Sequence, residues 1–272
     1  MLTQNGMIRL TDEEMKEFSS YLKANYGIDL TKKKQLIEAR MHQILAQKKV
    51  NSFTDYFKLL KQERPEEIDA MLNRLTTNHT YFMREPKHFD FLRDVILPMQ
   101  EKVNAGKEFS VWSAGCSTGE EAYTAAMVIR DFFAFRKWDF KILATDISTQ
   151  AMEGAKAAIY HKDALSNLPP VWLKKYFVKK ADPYYALSED VKKDVIFRKF
   201  NLMDPFCFTK PFDLIFCRNV MIYFDQPTKD KLIEKFYHAL KKGGYLFIGH
   251  SETVQRGITA FTYIKPSVYR KG

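Results

Sequence analysis

The stretch VWSAGCSTGEEAY, residues 111–123, carries the first chemistry legible in the chain. An apolar run enters a loop containing Gly115 and Gly119 and leaves it through Glu120 and Glu121. Loops of this kind hold charged small molecules. The two glycines do not complete the G-x-G-x-x-G of dinucleotide sites, and no Lys-Ser/Thr pair follows, as a phosphate-gripping loop requires. Where a phosphate binder places cations, this loop places two carboxylates. The next apolar run, FKILATD, ends in Asp146. An acidic residue at the end of the second strand commonly accepts hydrogen bonds from ribose hydroxyls. Together the two motifs ask for a nucleoside joined to something cationic or zwitterionic. S-adenosylmethionine meets that description, with an adenosine, an amino acid bearing a free ammonium, and a sulfonium. Glu121 is the candidate partner of the ammonium. Two plainer readings stand beside this one: Asp146 as a cap for the helix that DIST would start, and Glu120 and Glu121 as solvated first-turn residues favoured by the helix dipole.

The elements that must position these residues follow from periodicity. From about residue 108 the apolar runs FSVWSA, FKILATD, VIFRKF, FDLIFC and YLFIGH alternate with helical stretches. That alternation predicts a doubly wound parallel sheet, whose ligands bind beyond the C-terminal strand ends. The residues there are Ser113–Glu121, Asp146, Asn201–Asp204, Arg218–Asn219 and His250–Glu252. Residues 160–195 interrupt the alternation and are too long for a plain loop. Their hairpin-like signals predict a small antiparallel insert. Residues 11–75 read as a helical bundle. Thr11 with Glu14 forms a capping-box signal, and Pro65 opens a helical stretch ending at Leu75. Within Lys32–Val50, Ile37, Met41, Ile44 and Leu45 fall on one face. Lys32, Lys33, Lys34, Arg40, Lys48 and Lys49 lie on the other, against Glu38 alone.

Composition narrows the class. The 272 residues are 46% hydrophobic and 28% charged, as in an ordinary globular protein. No apolar run approaches the ~20 residues of a membrane span, and the first residues lack a signal-peptide h-region. The three cysteines and six histidines match no metal-ligand or disulfide spacing. The expectation is a reduced, cytoplasmic protein without a structural metal. A net charge of +10 favours an acidic partner: nucleic acid, an anionic membrane or an acidic protein surface.

A further stretch, TTNHTYFMREP at residues 76–86, sets Asn78, Thr80 and Arg84 around Phe82. Taken with WSAGCSTGEEAY, ILATDIS, NLMDPF and FDLIFCRNVMIYF, it makes the chain resemble the CheR-type chemoreceptor glutamate methyltransferases of bacterial chemotaxis over nearly its whole length, with the motifs in the family's order. Met83 stands where that family often has a second Phe, and Gly115-Cys116 varies within the glycine loop. The resemblance implies a Rossmann-like α/β methyltransferase domain at 108–272 with a β insert near 160–195. An all-α receptor-docking domain at 1–75 and a linker at 76–107 that contributes to the cofactor site would precede it. It implies methyl transfer from S-adenosylmethionine to receptor glutamates, leaving S-adenosylhomocysteine and needing no metal. By motif correspondence Asn78, Thr80 and Arg84 contact the cofactor, Glu121 lies by its methionyl part and Asp146 by its ribose. Asn201 and Leu202 flank the adenine, while Arg218 and Asn219 close the site. Arg84 and Tyr223 are the candidates for orienting the acceptor carboxylate. Lys33, Lys34, Arg40 and Lys48 are the candidates for meeting the acidic helical bundle of a methyl-accepting receptor. The protein is expected to be a monomer that binds no nucleic acid and does not insert into membranes. Two competing expectations are a nucleic-acid methyltransferase, suggested by the charge, and a non-catalytic protein that binds the cofactor without turnover.

Overall fold

In the computed structural model, which describes residues 8–62, 64–134, 136–255, 257 and 259–272, the chain divides into two units. One holds the residues up to Thr77 together with Tyr223–Lys229; the other holds Asn78–Ile222 and Asp230–Gly272.

Among the described residues the first unit is built on the helices α1 (Asp12–Tyr26), α2 (Lys34–Gln47), α3 (Phe53–Leu60) and α4 (Pro65–Leu75). The capping box expected at Thr11 is present and α1 ends at Gly27 in the left-handed region. Glu14 does more than cap. Its second carboxylate oxygen accepts from the Thr54 backbone N–H at 2.8 Å and the Thr54 hydroxyl at 2.9 Å, tying α1 to α3. Pro65 occupies the first turn of α4, where its missing N–H costs nothing. Ile37, Met41, Ile44 and Leu45 are buried on α2, as their spacing requires. The basic face is less open than the sequence suggests. Glu38 is not a lone surface acid: it is buried and accepts from Arg9 at 2.6 Å and from the Leu10 N–H at 2.9 Å. Lys34 pairs with Asp12 at 2.8 Å, and Lys48 pairs with Glu67. Arg40 donates to the Leu75 carbonyl and to the Thr77 hydroxyl. Lys32, Lys33 and Lys49 remain exposed.

Among the described residues the second unit contains ten strands: β1 (Glu108–Ala114), β2 (Asp139–Asp146), β3 (Ile159–His161), β4 (Phe177–Lys179), β5 (Tyr184–Leu187), β6 (Val195–Lys199), β7 (Phe212–Cys217), β8 (Leu240–Ile248), β9 (Phe261–Lys265) and β10 (Val268–Lys271). Seven form one sheet in the order β6-β2-β1-β7-β8-β10-β9. The five anticipated apolar runs supply its parallel part. The C-terminal pair is a departure, because β10 runs antiparallel to both β8 and β9. Only Pro266 and Ser267 separate β9 from β10, and a two-residue connection permits antiparallel pairing alone. The insert forms the small antiparallel sheet expected of it, in the order β3-β5-β4.

The segment 78–107 differs from a linker. Phe82 is fully buried, edge-on to Tyr160 at 4.8 Å and to Phe177 at 5.4 Å. Phe89 stacks on Phe216 at 5.7 Å. Apolar side chains at these positions draw the segment into the core of the second unit. On β1, fully buried Trp112 contacts Phe200, Phe206, Phe208, Phe212 and Phe236, with ring centroids 4.7–6.0 Å apart. Its indole N–H donates to the Thr145 hydroxyl at 2.9 Å. Aromatic pairs add about 0.5–1.5 kcal/mol each beyond burial, so this cluster anchors the end of β1 to the 200–208 loop.

Candidate active site

Sequential strands build outward from β1 to β2 and β6 on one side, and to β7 and β8 on the other. The reversal lies between β1 and β7, and a crevice opens where such strand orders reverse. The glycine loop leaves β1 there. The backbone N–H groups of Gly115 and Cys116 both donate to the Thr145 carbonyl, at 2.8 and 2.9 Å. Gly115 has φ +87°, and a Cβ on it would lie 2.3 Å from a methyl of Val220. A side chain is therefore excluded on both counts. The loop turns back through Gly119 at φ +94° into helix Glu120–Phe132.

Asp146 ends β2, half-buried. Its two oxygens accept the backbone N–H of Ser117 at 2.7 Å and of Ser148 at 2.9 Å. Burial pushes its carboxyl above the usual value, against the donors from Ser148, Ser117 and Ile147. The cap of the following helix is Ser148, whose side chain accepts from the Ala151 N–H. Asp146 thus fixes the glycine loop and keeps acceptor capacity, since an ionised carboxylate offers about four lone-pair sites.

Glu120 and Glu121 are not solvated. Glu120 is buried, with its carboxylate taking the Thr118 hydroxyl at 2.7 Å. Glu121 accepts the Ser113 hydroxyl at 2.6 Å and a guanidinium N–H of Arg218 at 3.1 Å. Burial pushes the Glu121 carboxyl up while Arg218 holds it down. Arg218 itself is buried, lies over the Phe89 ring at 5.5 Å, and donates also to Glu85 at 3.2 Å and to the Arg84 carbonyl.

The other expected residues fall as follows. The Asn78 carbonyl accepts from the Ser117 hydroxyl at 3.2 Å, which brings Asn78 to the glycine loop. Thr80 is half-buried further along that segment. Arg84 is half-buried and donates to the His79 carbonyl at 2.8 Å. Asn201 closes a turn by accepting from the Met203 N–H at 3.1 Å, and Leu202 is buried. The Lys235 ammonium donates to the carbonyls of Leu202 and Asp204, each at 2.6 Å, and holds that loop in place. Asn219 follows Arg218 in the left-handed region at φ 59°. Tyr223 does not join this cluster by its contacts. It belongs to the helical unit, where its carbonyl accepts from the Asp29 N–H at 2.8 Å.

The family match decides the class. Residues 78–269 match the CheR methyltransferase SAM-binding domain, and residues 13–76 match the CheR methyltransferase all-alpha domain. The chain belongs to the CheR methyltransferase family. It is a methyltransferase that uses S-adenosylmethionine. The chain is 44% identical over 275 residues to the chemotaxis protein methyltransferase of Borreliella burgdorferi, covering 98% of this chain and 97% of that one. It is 35% identical to the Escherichia coli protein of the same name, covering 99% and 94%. Among the described residues no helix is long and apolar enough to cross a membrane.

Two site residues of this CheR methyltransferase escape a reading of the sequence. Glu85 directly follows Arg84 in the sequence, yet its side chain pairs with Arg218. Glu252, only a candidate for lining the site, is buried and accepts backbone N–H groups, among them Gly249 at 2.6 Å, Asn219 at 3.0 Å and Ile222 at 3.1 Å. Arg218 lies 133 positions from Glu85, and Asn219 and Ile222 lie 33 and 30 positions from Glu252. The only clue was that His250-Ser-Glu252 ends a strand.

Proposed function

We propose that the protein transfers the methyl group of S-adenosylmethionine to glutamate side-chain carboxylates of methyl-accepting chemoreceptors, giving glutamate methyl esters and S-adenosylhomocysteine, in the sensory adaptation of bacterial chemotaxis. One observation carries the choice of acceptor: the carboxylates and thiols around the crevice that could activate a nucleophile are already held. Glu85 and Glu121 share Arg218, Asp146 and Glu252 hold backbone N–H groups, and burial pushes the thiols of Cys116 and Cys217 well up. An acceptor carboxylate needs no such help, because with an ordinary pKa of ~4.3 it is already an anion at neutral pH. The names carried by the relatives support the same reading.

S-adenosylmethionine, when bound, supplies a methyl group activated by its sulfonium. The protein's part is to bind, align and exclude water. Glu121 receives the ammonium and Asp146 the ribose hydroxyls. Asn201 and Leu202 flank the adenine. Asn78, Thr80 and Arg218 with Asn219 line the remainder. Arg84 presents a planar donor fork that suits a carboxylate. The helical unit docks the receptor, in the cytoplasm, with the protein acting as a monomer.

The test is transfer of radiolabelled methyl to receptor-containing membranes. Base-labile label on glutamate is expected. Base-stable label, or transfer to RNA or DNA alone, would refute the proposal.

Docking through charge gives a second expected result, and the structure selects the residues. Reversing Lys34 or Lys48 would break pairs with Asp12 and Glu67, so exposed Lys32, Lys33 and Lys49 are the ones to change to glutamate. Complementary charge mainly raises the association rate, and salt screens it over ~8 Å at physiological ionic strength. With cofactor saturating and receptor scarce, the triple variant should methylate roughly tenfold more slowly at low salt. Its rate should also fall less as salt rises. Coincident rate-against-salt curves would place receptor recognition elsewhere.

A further inference from the structure

Three charged side chains form one buried knot beside the glycine loop. The Arg218 guanidinium, its side chain 2% exposed, lies between Glu121 at 3.1 Å and Glu85 at 3.2 Å. Glu121 and Glu85 are themselves 13% and 12% exposed. Two carboxylates and one guanidinium leave a single net negative charge. Around these three, the half-exposed His250 imidazole lies 3.9 Å from Glu85, and the Arg84 guanidinium acts on Glu121 from further off. The His250 backbone N–H donates to Glu85 at 3.2 Å, and the buried His88 ring lies 3.4 Å away. Burial lowers the pKa of His88. Burial works against ionisation of Glu85, but His88, Arg218 and His250 together hold its carboxyl down to about 2.

Without Glu85, Arg218 would cancel Glu121, and the knot would meet the ligand with no net charge. A buried carboxylate already neutralised by its own arginine is a poor receptor for a cation. We infer that Glu85 is a charge-balancing positioning residue: by occupying one side of Arg218 it leaves the knot one positive charge short, and that deficit selects the cationic cofactor over its neutral product. The inference rests on the proposed role of Glu121 towards the ammonium. S-adenosylmethionine carries a sulfonium where S-adenosylhomocysteine has an uncharged thioether, and both share the same ammonium and carboxylate. The difference in affinity between the two therefore reports the charge of the site separately from its shape.

The experiment is calorimetric titration of both ligands into the full-length protein and into variants whose folding is verified by circular dichroism. Glu85→Gln keeps the shape and removes the charge. Its preference for S-adenosylmethionine over S-adenosylhomocysteine should drop about 15- to 30-fold, the effect of one unit charge at roughly 8–10 Å and an effective dielectric of ~20. A double variant, Glu85→Gln with Arg218→Gln, again has one net negative charge and should recover the wild-type preference to within about threefold. Arg218→Gln alone has two and should exceed it, which keeps the inference testable if Glu85→Gln fails to fold. Equal loss of both ligands in Glu85→Gln, or no recovery in the double variant, would show that Glu85 acts by structure alone. Glu121→Gln separates the two levels. Wild-type affinities in that variant would overturn the role of Glu121. Weakened binding there, with an unchanged preference in Glu85→Gln, would overturn the inference about Glu85 only.

Discussion

Asp146→Ala is expected to weaken S-adenosylmethionine binding by roughly 1.5–3 kcal/mol, about 10- to 150-fold, as loss of a charge-assisted acceptor does. The substitution removes two things at once. One is the proposed acceptor for the ribose hydroxyls. The other is the anchor of the glycine loop and of the turn after β2, because the Ser117 and Ser148 N–H groups lose their partner. The two can be told apart. An analogue of S-adenosylhomocysteine lacking both ribose hydroxyls should already bind weakly to the wild-type protein and lose little more to Asp146→Ala. Its remaining loss measures the loop anchor. The helix after β2 keeps its Ser148 cap, so the fold should survive. Calorimetry giving wild-type affinity in a folded Asp146→Ala protein would remove Asp146 from the cofactor site.

What the sequence disclosed, and what it concealed, divides by the range of the interactions. Local signals were legible. The Thr11 capping box spans four residues, the apolar face of α2 repeats with the helical period, and the runs that became β1, β2, β6, β7 and β8 are continuous in sequence. The glycine loop was legible as well, because an open Gly115 against Val220 is a backbone requirement that a residue type records. Long-range pairing was not. Lys48 and Glu67 are surface-type residues until α2 and α4 are packed together. Glu85 and Arg218 lie 133 positions apart, and no periodicity connects them. The segment 78–107 has the composition of a linker around Asn78 and Thr80, and only the packing of Phe82 and Phe89 reveals it as core. The β9–β10 hairpin was hidden because the apolar alternation of FTYIKPSVYR is short and weak, whereas the two-residue turn decides its pairing.

Glu252→Ala is expected to be strongly destabilising to the second unit. One buried carboxylate satisfies the N–H groups of Gly249, Asn219 and Ile222. Each donor stranded without a partner costs about 1–3 kcal/mol. Water entering the space will recover some of this, so a net loss of about 4 kcal/mol is expected, or a Tm lower by roughly 10 °C at the sensitivity usual for chains of this size. The effect should be local before it is global. Glu252 clamps residues 219–222, the turn that follows Arg218 and holds Asn219 in the left-handed region, so amide exchange should speed first at Asn219 and Ile222. Glu252→Gln retains one carbonyl acceptor and should lose about half as much. Gly249→Ala attacks the same clamp from the other side, since a Cβ there would lie 2.6 Å from the Asn219 side-chain nitrogen and 2.9 Å from a Glu252 oxygen. Both the alanine and the glutamine variants of Glu252 should lower methyl transfer along with stability, because the clamp fixes the turn that carries the end of the Arg218 knot. Thermal unfolding within about 2 °C of wild type, with unchanged exchange at Asn219 and Ile222, would mean that the turn is held by its own backbone and that Glu252 is dispensable to it.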